Sequence, residues 1–170
     1  MSDKISSNEI NFRSRSYFVA RSFIHCWCCR APTRLLAAVL PPPHETLAME
    51  EGAADEESAR DTWESAPRYA FLFYVGYLPD GVRRRFMQLS PGFRWDRSAA
   101  SQGCYWANHC EQCDALLDDH YLFCEPQGAF APADPASAGQ IELLPVHEPF
   151  EAAAAGYLFD PPFVDSMSRR

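Results

Sequence analysis

The strongest constraint on this chain is a repeated heptapeptide. His25-Cys26-Trp27-Cys28-Cys29-Arg30-Ala31 and His109-Cys110-Glu111-Gln112-Cys113-Asp114-Ala115 share the pattern HCxxCxA while lying far apart in sequence. A CxxC spacing lets two sulfurs on one tight turn point at a single ion. Two such turns supply the four-thiolate tetrahedral shell that structural zinc prefers. The spacing therefore predicts one structural zinc ion held by Cys26, Cys29, Cys110 and Cys113. Four thiolates leave no open position for water or substrate, so such a site holds structure and performs no hydrolysis.

The remaining cysteines and the compartment bear on that reading. Seven cysteines is an odd number, which argues against a framework in which every thiol is paired. Residues 1–16 are polar and lack the apolar core of a secretion signal, so a cytoplasmic protein with reduced thiols is expected. The most apolar run, residues 70–78, is far shorter than the ~20 residues of a helical bilayer crossing, and no membrane span is expected.

Three other uses of the cysteines compete with the split site. Cys110, Cys113, His120 and Cys124 offer four ligands close in sequence, but a local site built from them leaves Cys26 and Cys29 without a task. A redox CxxC at Cys26 and Cys29 would make the protein a thiol oxidoreductase, without the βαβ context that such proteins have. Lastly, knuckles usually carry Gly after the second cysteine, where φ is often positive. Here Arg30 and Asp114 stand in that place. Asp tolerates the left-handed region and Arg does so at greater cost, which opens Cys28 as a substitute for Cys29.

The other candidates carry less chemistry. His25 and His109 precede ligands and read either as donors to sulfur or as ordinary strand residues. Cys104 and Cys124 read as small apolar core residues, and Asp118, Asp119 and His120 as an exposed turn. No nucleophile elbow, phosphate loop or HExxH motif is present, and no catalytic residue is assigned.

Along the chain, residues 1–14 read as a disordered leader and 161–170 as a flexible tail. One domain over residues 15–160 is expected between them, since 47% hydrophobic and 14% aromatic residues suffice for a core. Strands are predicted over residues 17–24 and 33–40, flanking the first knuckle. Residues 44–66, with Glu45, Glu50, Glu51, Asp55, Glu56, Glu57, Asp61 and Glu64 against a single Arg60, read as a mobile acidic insertion. The continuous apolar run after Tyr69 predicts a central strand, followed by a short helix over 81–89 capped by Asp80. Phe93 and Trp95 should pack on the core. Aromatic residues 104–109 lead into the second knuckle, with return strands at 115–117 and 121–123. An edge strand over 141–146, interrupted by Pro145, and an alanine-rich helix over 151–155 complete the expectation. The predicted fold is α+β: a small β-rich, zinc-ribbon-like domain with two knuckle hairpins, one or two short helices and long loops.

Two stretches carry a resemblance. Tyr105-Trp106-Ala107-Asn108-His109-Cys110-Glu111-Gln112-Cys113, with Asp119, Tyr121-Leu122 and Glu125-Pro126 after it, resembles a segment of uncharacterised bacterial zinc-ribbon proteins, as do residues 26–40 with the Pro-Pro-Pro-His-Glu-Thr that follows. The resemblance covers about half the chain. It implies zinc binding and a small β-rich domain, and it brings no known activity.

Charge narrows the partner. A net charge of -8 disfavours nucleic acid, where Lys and Arg must neutralise phosphates. Arg83, Arg84 and Arg85, with Arg94 and Arg97, form the basic cluster that a nucleic-acid-binding ribbon would use, and they read instead as a solvated helix face. The expected role is a module that binds another protein, with the acidic surface and the apolar residues 71–77 as contact regions. An acidic inhibitor or immunity-type protein masking a basic site fits that balance.

Overall fold

Residues 32–40 are apolar at almost every position, the pattern of a strand buried on both faces. In the computed structural model, which describes residues 9–48, 62–101 and 103–170, this segment is the strand β3 (Pro32–Leu40) inside a nine-stranded sheet. Its neighbours are β2 (Tyr17–His25) and β6 (Ala70–Tyr77), both antiparallel to it. Leu36, Ala38 and Leu40 enter one core, and Leu35, Ala37 and Val39 enter the other. β6 divides its residues the same way, with Ala70 and Leu72 on the first side and Phe71 and Phe73 on the second.

The other strands of this sheet are β1 (Phe12–Ser14), β4 (His44–Ala48), β5 (Thr62–Ala66), β10 (Glu142–Val146), β11 (Phe150–Phe159) and β12 (Ser168–Arg169). Among the described residues their order is β12-β10-β2-β3-β6-β11-β1-β4-β5. A second sheet of three antiparallel strands comprises β7 (Arg94–Ser98), β8 (Gly103–His109) and β9 (Leu116–Leu117). The first core is covered by α1 (Asp80–Leu89) through Val82 and Phe86, and by Phe93. The second is covered by Leu117, Leu122, Phe123, Phe130 and Met167. Burying each such Leu or Phe stabilises the fold by about 1.5–3 kcal/mol relative to exposure.

The two sheets meet at a fork. β3 and β6 pair only at Ala38–Leu72, Val39–Phe71 and Leu40–Ala70, after which β6 bends at Tyr74, whose φ is 50°. Backbone groups exposed by that divergence must find partners. The buried side chain of Asn108 on β8 supplies them for β3: its Oδ1 accepts from Leu36 N at 2.9 Å, and its Nδ2 donates to Leu36 O at 3.0 Å. Asp119 does so for β6, its Oδ2 accepting from Tyr74 N at 2.8 Å. A second asparagine repeats the device at the irregularity between Ala153 and Ala154 of β11. There Asn11 accepts from Ala154 N at 2.9 Å and donates to Ala154 O at 2.8 Å.

The described residues are mostly β, with short helices and long loops, as predicted, but several elements differ from expectation. Residues 151–155 are strand, not helix. They lie in β11 between β6 and β1, where small side chains accommodate bulky neighbours such as Phe12, paired with Ala152; this context overrides alanine's helix preference. Residues 12–14 of the expected leader and 168–169 of the expected tail pair in the sheet as β1 and β12. The ends of the expected insertion form β4 and β5, paired from His44–Ala66 to Ala48–Thr62, while its acidic middle, 49–61, lies outside the described residues. β10 is not an edge strand, because β12 pairs outside it. That pairing stops at Leu143, so Pro145 loses no ladder bond on that side. Residues 120–124 form a short π-helical turn in place of a return strand, and Pro79, not Asp80, precedes the first turn of α1. Phe93 is buried as expected, whereas Trp95 stays half-exposed, edge-on to Trp106. No helix among the described residues is long and apolar enough to cross a membrane.

Replacing Asn108 by Ala should cost about 2–4 kcal/mol, because it leaves a buried N–H and a buried C=O of Leu36 unpaired. Urea unfolding of the parent and N108A proteins, compared at constant slope, measures it; a loss below about 1 kcal/mol would show that water replaces the amide bridge.

Candidate metal centre

The two HCxxCxA segments fold into the same turn, bond for bond. In the first, which joins β2 to β3, Cys26 N donates to Ala31 O at 2.8 Å and Arg30 N to Cys26 O at 2.9 Å. In the second, which joins β8 to β9, Cys110 N donates to Ala115 O at 2.9 Å and Asp114 N to Cys110 O at 3.0 Å. Each turn also aims a backbone N–H at the sulfur of its first cysteine, from Cys28 to Cys26 Sγ and from Gln112 to Cys110 Sγ, both at 3.4 Å. Closing this turn requires a left-handed residue after the second cysteine. Arg30 and Asp114 adopt it, at φ 65° and 67°.

The turns dock so that the Sγ atoms of Cys26, Cys29, Cys110 and Cys113 all lie within 4.8 Å of one another. Cys26 Sγ and Cys113 Sγ are separated by 3.6 Å, as are Cys29 Sγ and Cys110 Sγ. A tetrahedral ion with metal–sulfur bonds of ~2.3 Å needs sulfurs ~3.8 Å apart, so the spacing fits a single ion. Among the described residues no other group of three or more His, Cys, Asp or Glu side chains is gathered in this way. Of the four residues, Cys26 and Cys110 are buried and Cys29 and Cys113 are exposed.

Contacts outside the sulfurs hold the two turns together. Trp27 Nε1 donates to Leu116 O at 3.0 Å, linking the first turn to the exit of the second, and Glu111 N donates to the buried Thr33 Oγ1 at 3.2 Å, linking the second to the start of β3. His109 fixes the approach of β8: its ring nitrogens meet Gly92 O at 2.9 Å and Asp96 Oδ2 at 2.7 Å. A Cβ on Gly92 would sit 2.3 Å from His109 O, so only glycine permits this approach. Neither His109 nor His25 bonds to sulfur; His25 Nδ1 lies 3.1 Å from Arg30 O. The sulfurs receive backbone N–H groups instead.

Electrostatics agree with a cation-binding role. Cys110, which accepts from the backbone N–H of Cys113 and then of Gln112, is held down to about 6. The Ala31 and Ala115 amides favour the thiolates of Cys29 and Cys113, yet burial and the crowding sulfurs outweigh them. Cys29 is raised, and Cys113 is pushed up to about 12. One thiolate forms readily and the next resist, a repulsion that a divalent cation relieves.

Of the residues singled out by sequence, the structure brings together Cys26, Cys29, Cys110 and Cys113. Cys28 is exposed and outside the cluster, since the turn places Cys29 inward despite Arg30. His120 bonds to Glu125 at 3.1 Å, and Cys124 is exposed, so neither joins Cys110 and Cys113. Cys104 is likewise exposed and not a core residue. Arg83 pairs with Asp80, Arg85 with Glu148 at 2.9 Å, and Arg94 with Asp114 at 2.5 Å. Phe71, Leu72, Phe73 and Val75 are core residues and offer no contact surface. Thr33, Asn108 and Gly92 were not legible as site residues, because each acts through a backbone partner distant in sequence.

Asp118 and Asp119 do not form an exposed turn. Both are buried, behind β6 and β8. Asp118 accepts from Tyr105 OH at 3.2 Å, Tyr74 OH at 3.3 Å, His120 N at 2.9 Å and Ser98 Oγ. Burial, aided by the charge of Asp118 and opposed by the Tyr74 N–H bond, pushes Asp119 up to about 8. Burial, followed by the same carboxylates, raises the Tyr74 and Tyr105 hydroxyls.

No protein-family model matches the chain, and comparisons with curated proteins and with solved structures return no match. The site is therefore read from its own geometry.

Two outcomes follow from these contacts. Arg30→Gly should stabilise the protein by about 1 kcal/mol by relieving the left-handed backbone, whereas Asp114→Gly should gain less, since Asp tolerates that region and loses its Arg94 partner; thermal unfolding of both variants decides. Asp119 titrates higher folded than unfolded, so between pH ~4 and ~8 the native state holds the extra proton and stability falls as pH rises. The stability of the parent minus that of Asp119→Asn should decline across that window and level off above it; a flat difference would show Asp119 to be ionised throughout.

Proposed function

We propose that this chain is a structural-zinc protein that works by binding another protein. The observation that carries the metal is the gathering of four sulfurs, from turns 81 residues apart at their closest pair, within 4.8 Å. An all-thiolate tetrahedral set suits zinc, and a closed shell assigns it to structure. Cys26, Cys29, Cys110 and Cys113 would hold the ion, and the two turns would act as paired zinc-ribbon knuckles set into a larger sheet. What the ion supplies is folding free energy, on the order of 10 kcal/mol in small structural sites.

The second half of the reading rests on charge and surface. The chain carries a net charge of -8, and three arginines of the basic cluster on α1 and β7, Arg83, Arg85 and Arg94, have acidic partners in Asp80, Glu148 and Asp114. Phe23 and Met87 remain exposed, residue types that interfaces favour. A basic protein surface in a reducing cytoplasm is the partner this balance suits, as for an acidic inhibitor or immunity-type protein.

Purified protein should hold about one zinc per chain by elemental analysis. Cys26→Ser and Cys110→Ser should lose both metal and stable folding, while Cys28→Ser keeps both. Iron in place of zinc, visible as thiolate-to-metal absorption, would overturn the choice of ion. Folded, metal-free protein with a reversible Cys26–Cys29 disulfide would make it an oxidoreductase instead. A protein partner recovered at low salt and released at high salt supports the interaction role. Recovery of nucleic acid that depends on Arg83, Arg84 and Arg85 would overturn it.

A further inference from the structure

Beside the first knuckle and outside the sulfur cluster lies a cleft of about 770 Å³. That volume falls within the range of small-molecule sites, which are mostly apolar with a few placed polar groups. Ile24, Leu116 and Ala99 contribute to its apolar wall. Two large aromatic side chains also line it while staying open to solvent, Trp27 at 65% and Tyr121 at 63% exposure. Trp27 is not free to swing away, because its Nε1–H is spent on Leu116 O at 3.0 Å.

The cleft has a sign. Asp118 lines it, buried and held in place by the hydroxyls of Ser98, Tyr74 and Tyr105 and the amide of His120. Among the described residues no Lys or Arg lines it, and its histidine, His25, has Nδ1 turned to Arg30 O. An anion entering would approach the charge of Asp118, whose oxygens already accept four hydrogen bonds, and would meet no counter-charge. A neutral apolar molecule would bury Asp118 further and return nothing to it. A cation gains on both counts, since aromatic faces attract it as well.

We propose that this cleft binds a small organic cation, an arylalkylamine whose ammonium is drawn by the charge of Asp118 and whose carbon skeleton lies against Trp27 and Tyr121. The assignment is separate from the metal reading, because none of the four sulfurs lines the cleft. A free small molecule is favoured over a protein side chain because the site is a concavity of ligand size and not a flat face.

Three probes with one carbon skeleton test it on the full chain by titration calorimetry: 4-phenylbutylamine, 4-phenylbutan-1-ol and 4-phenylbutyrate. The amine should saturate one site per chain, about tenfold tighter than the alcohol, with no saturation by the carboxylate. Trp27→Ala should weaken the amine about three- to tenfold, and Tyr121→Ala likewise, while Ala99→Trp, which fills the cleft from an exposed position, should abolish binding. Circular dichroism and metal content identify any variant that fails to fold, and the two remaining substitutions then carry the comparison. Equal binding of all three probes, amine binding that survives Ala99→Trp in folded protein, or no saturable amine binding below about 10 mM would overturn the proposal.

Discussion

The amide of Asn108 clasping both backbone groups of Leu36 is the contact on which the architecture turns. It stands where two strands of the main sheet part, and it stitches the small sheet into the gap with a side chain in place of a strand. Its effect reaches the metal centre through register. With Asn108 opposite Leu36, the chain three residues on brings Glu111 N to Thr33 Oγ1, and the second knuckle lies against the first. A side-chain bridge can do this because it satisfies a donor and an acceptor at once, so no buried polar group is left open at the join. Asn11 does the same for Ala154.

The knuckles show which of two energies dominates. A left-handed Arg costs roughly 1–2 kcal/mol, and Arg30 accepts it. Against that stands the folding free energy that a four-thiolate site returns on loading, about ten times larger. The turn geometry is therefore set by the need to aim both sulfurs of each pair at one point, and residue preference yields. That is why Cys29 reaches the cluster and Cys28 does not.

Much of this could be read from residues alone, for identifiable reasons. The four clustered cysteines were legible because a chelating arrangement demands a spacing that survives in the sequence. β2, β3 and β6 were legible because their apolar and aromatic runs are long. The order of the main sheet was not, since nothing local in β1 or β12 specifies partners in β11 or β10. The alanines of β11 misled because intrinsic preference for helix gives way when both neighbours are strands. Asp118 and Asp119 misled because polarity reads as surface unless the hydroxyls that bury it, from Ser98, Tyr74 and Tyr105, are known to converge.

The sheet order has a consequence for how the molecule comes into being. β1 lies between β4 and β11, and β2 between β3 and β10, so early strands wait on late ones. As the chain leaves the ribosome, β2 and β6 each keep one open edge until residues 142–159 have been made. Until then the strands already made have unpaired edges and an incomplete core, the condition in which chains misassociate. The β2–β10 and β6–β11 pairings join residues distant in sequence, and such non-local contacts form more slowly than a local hairpin.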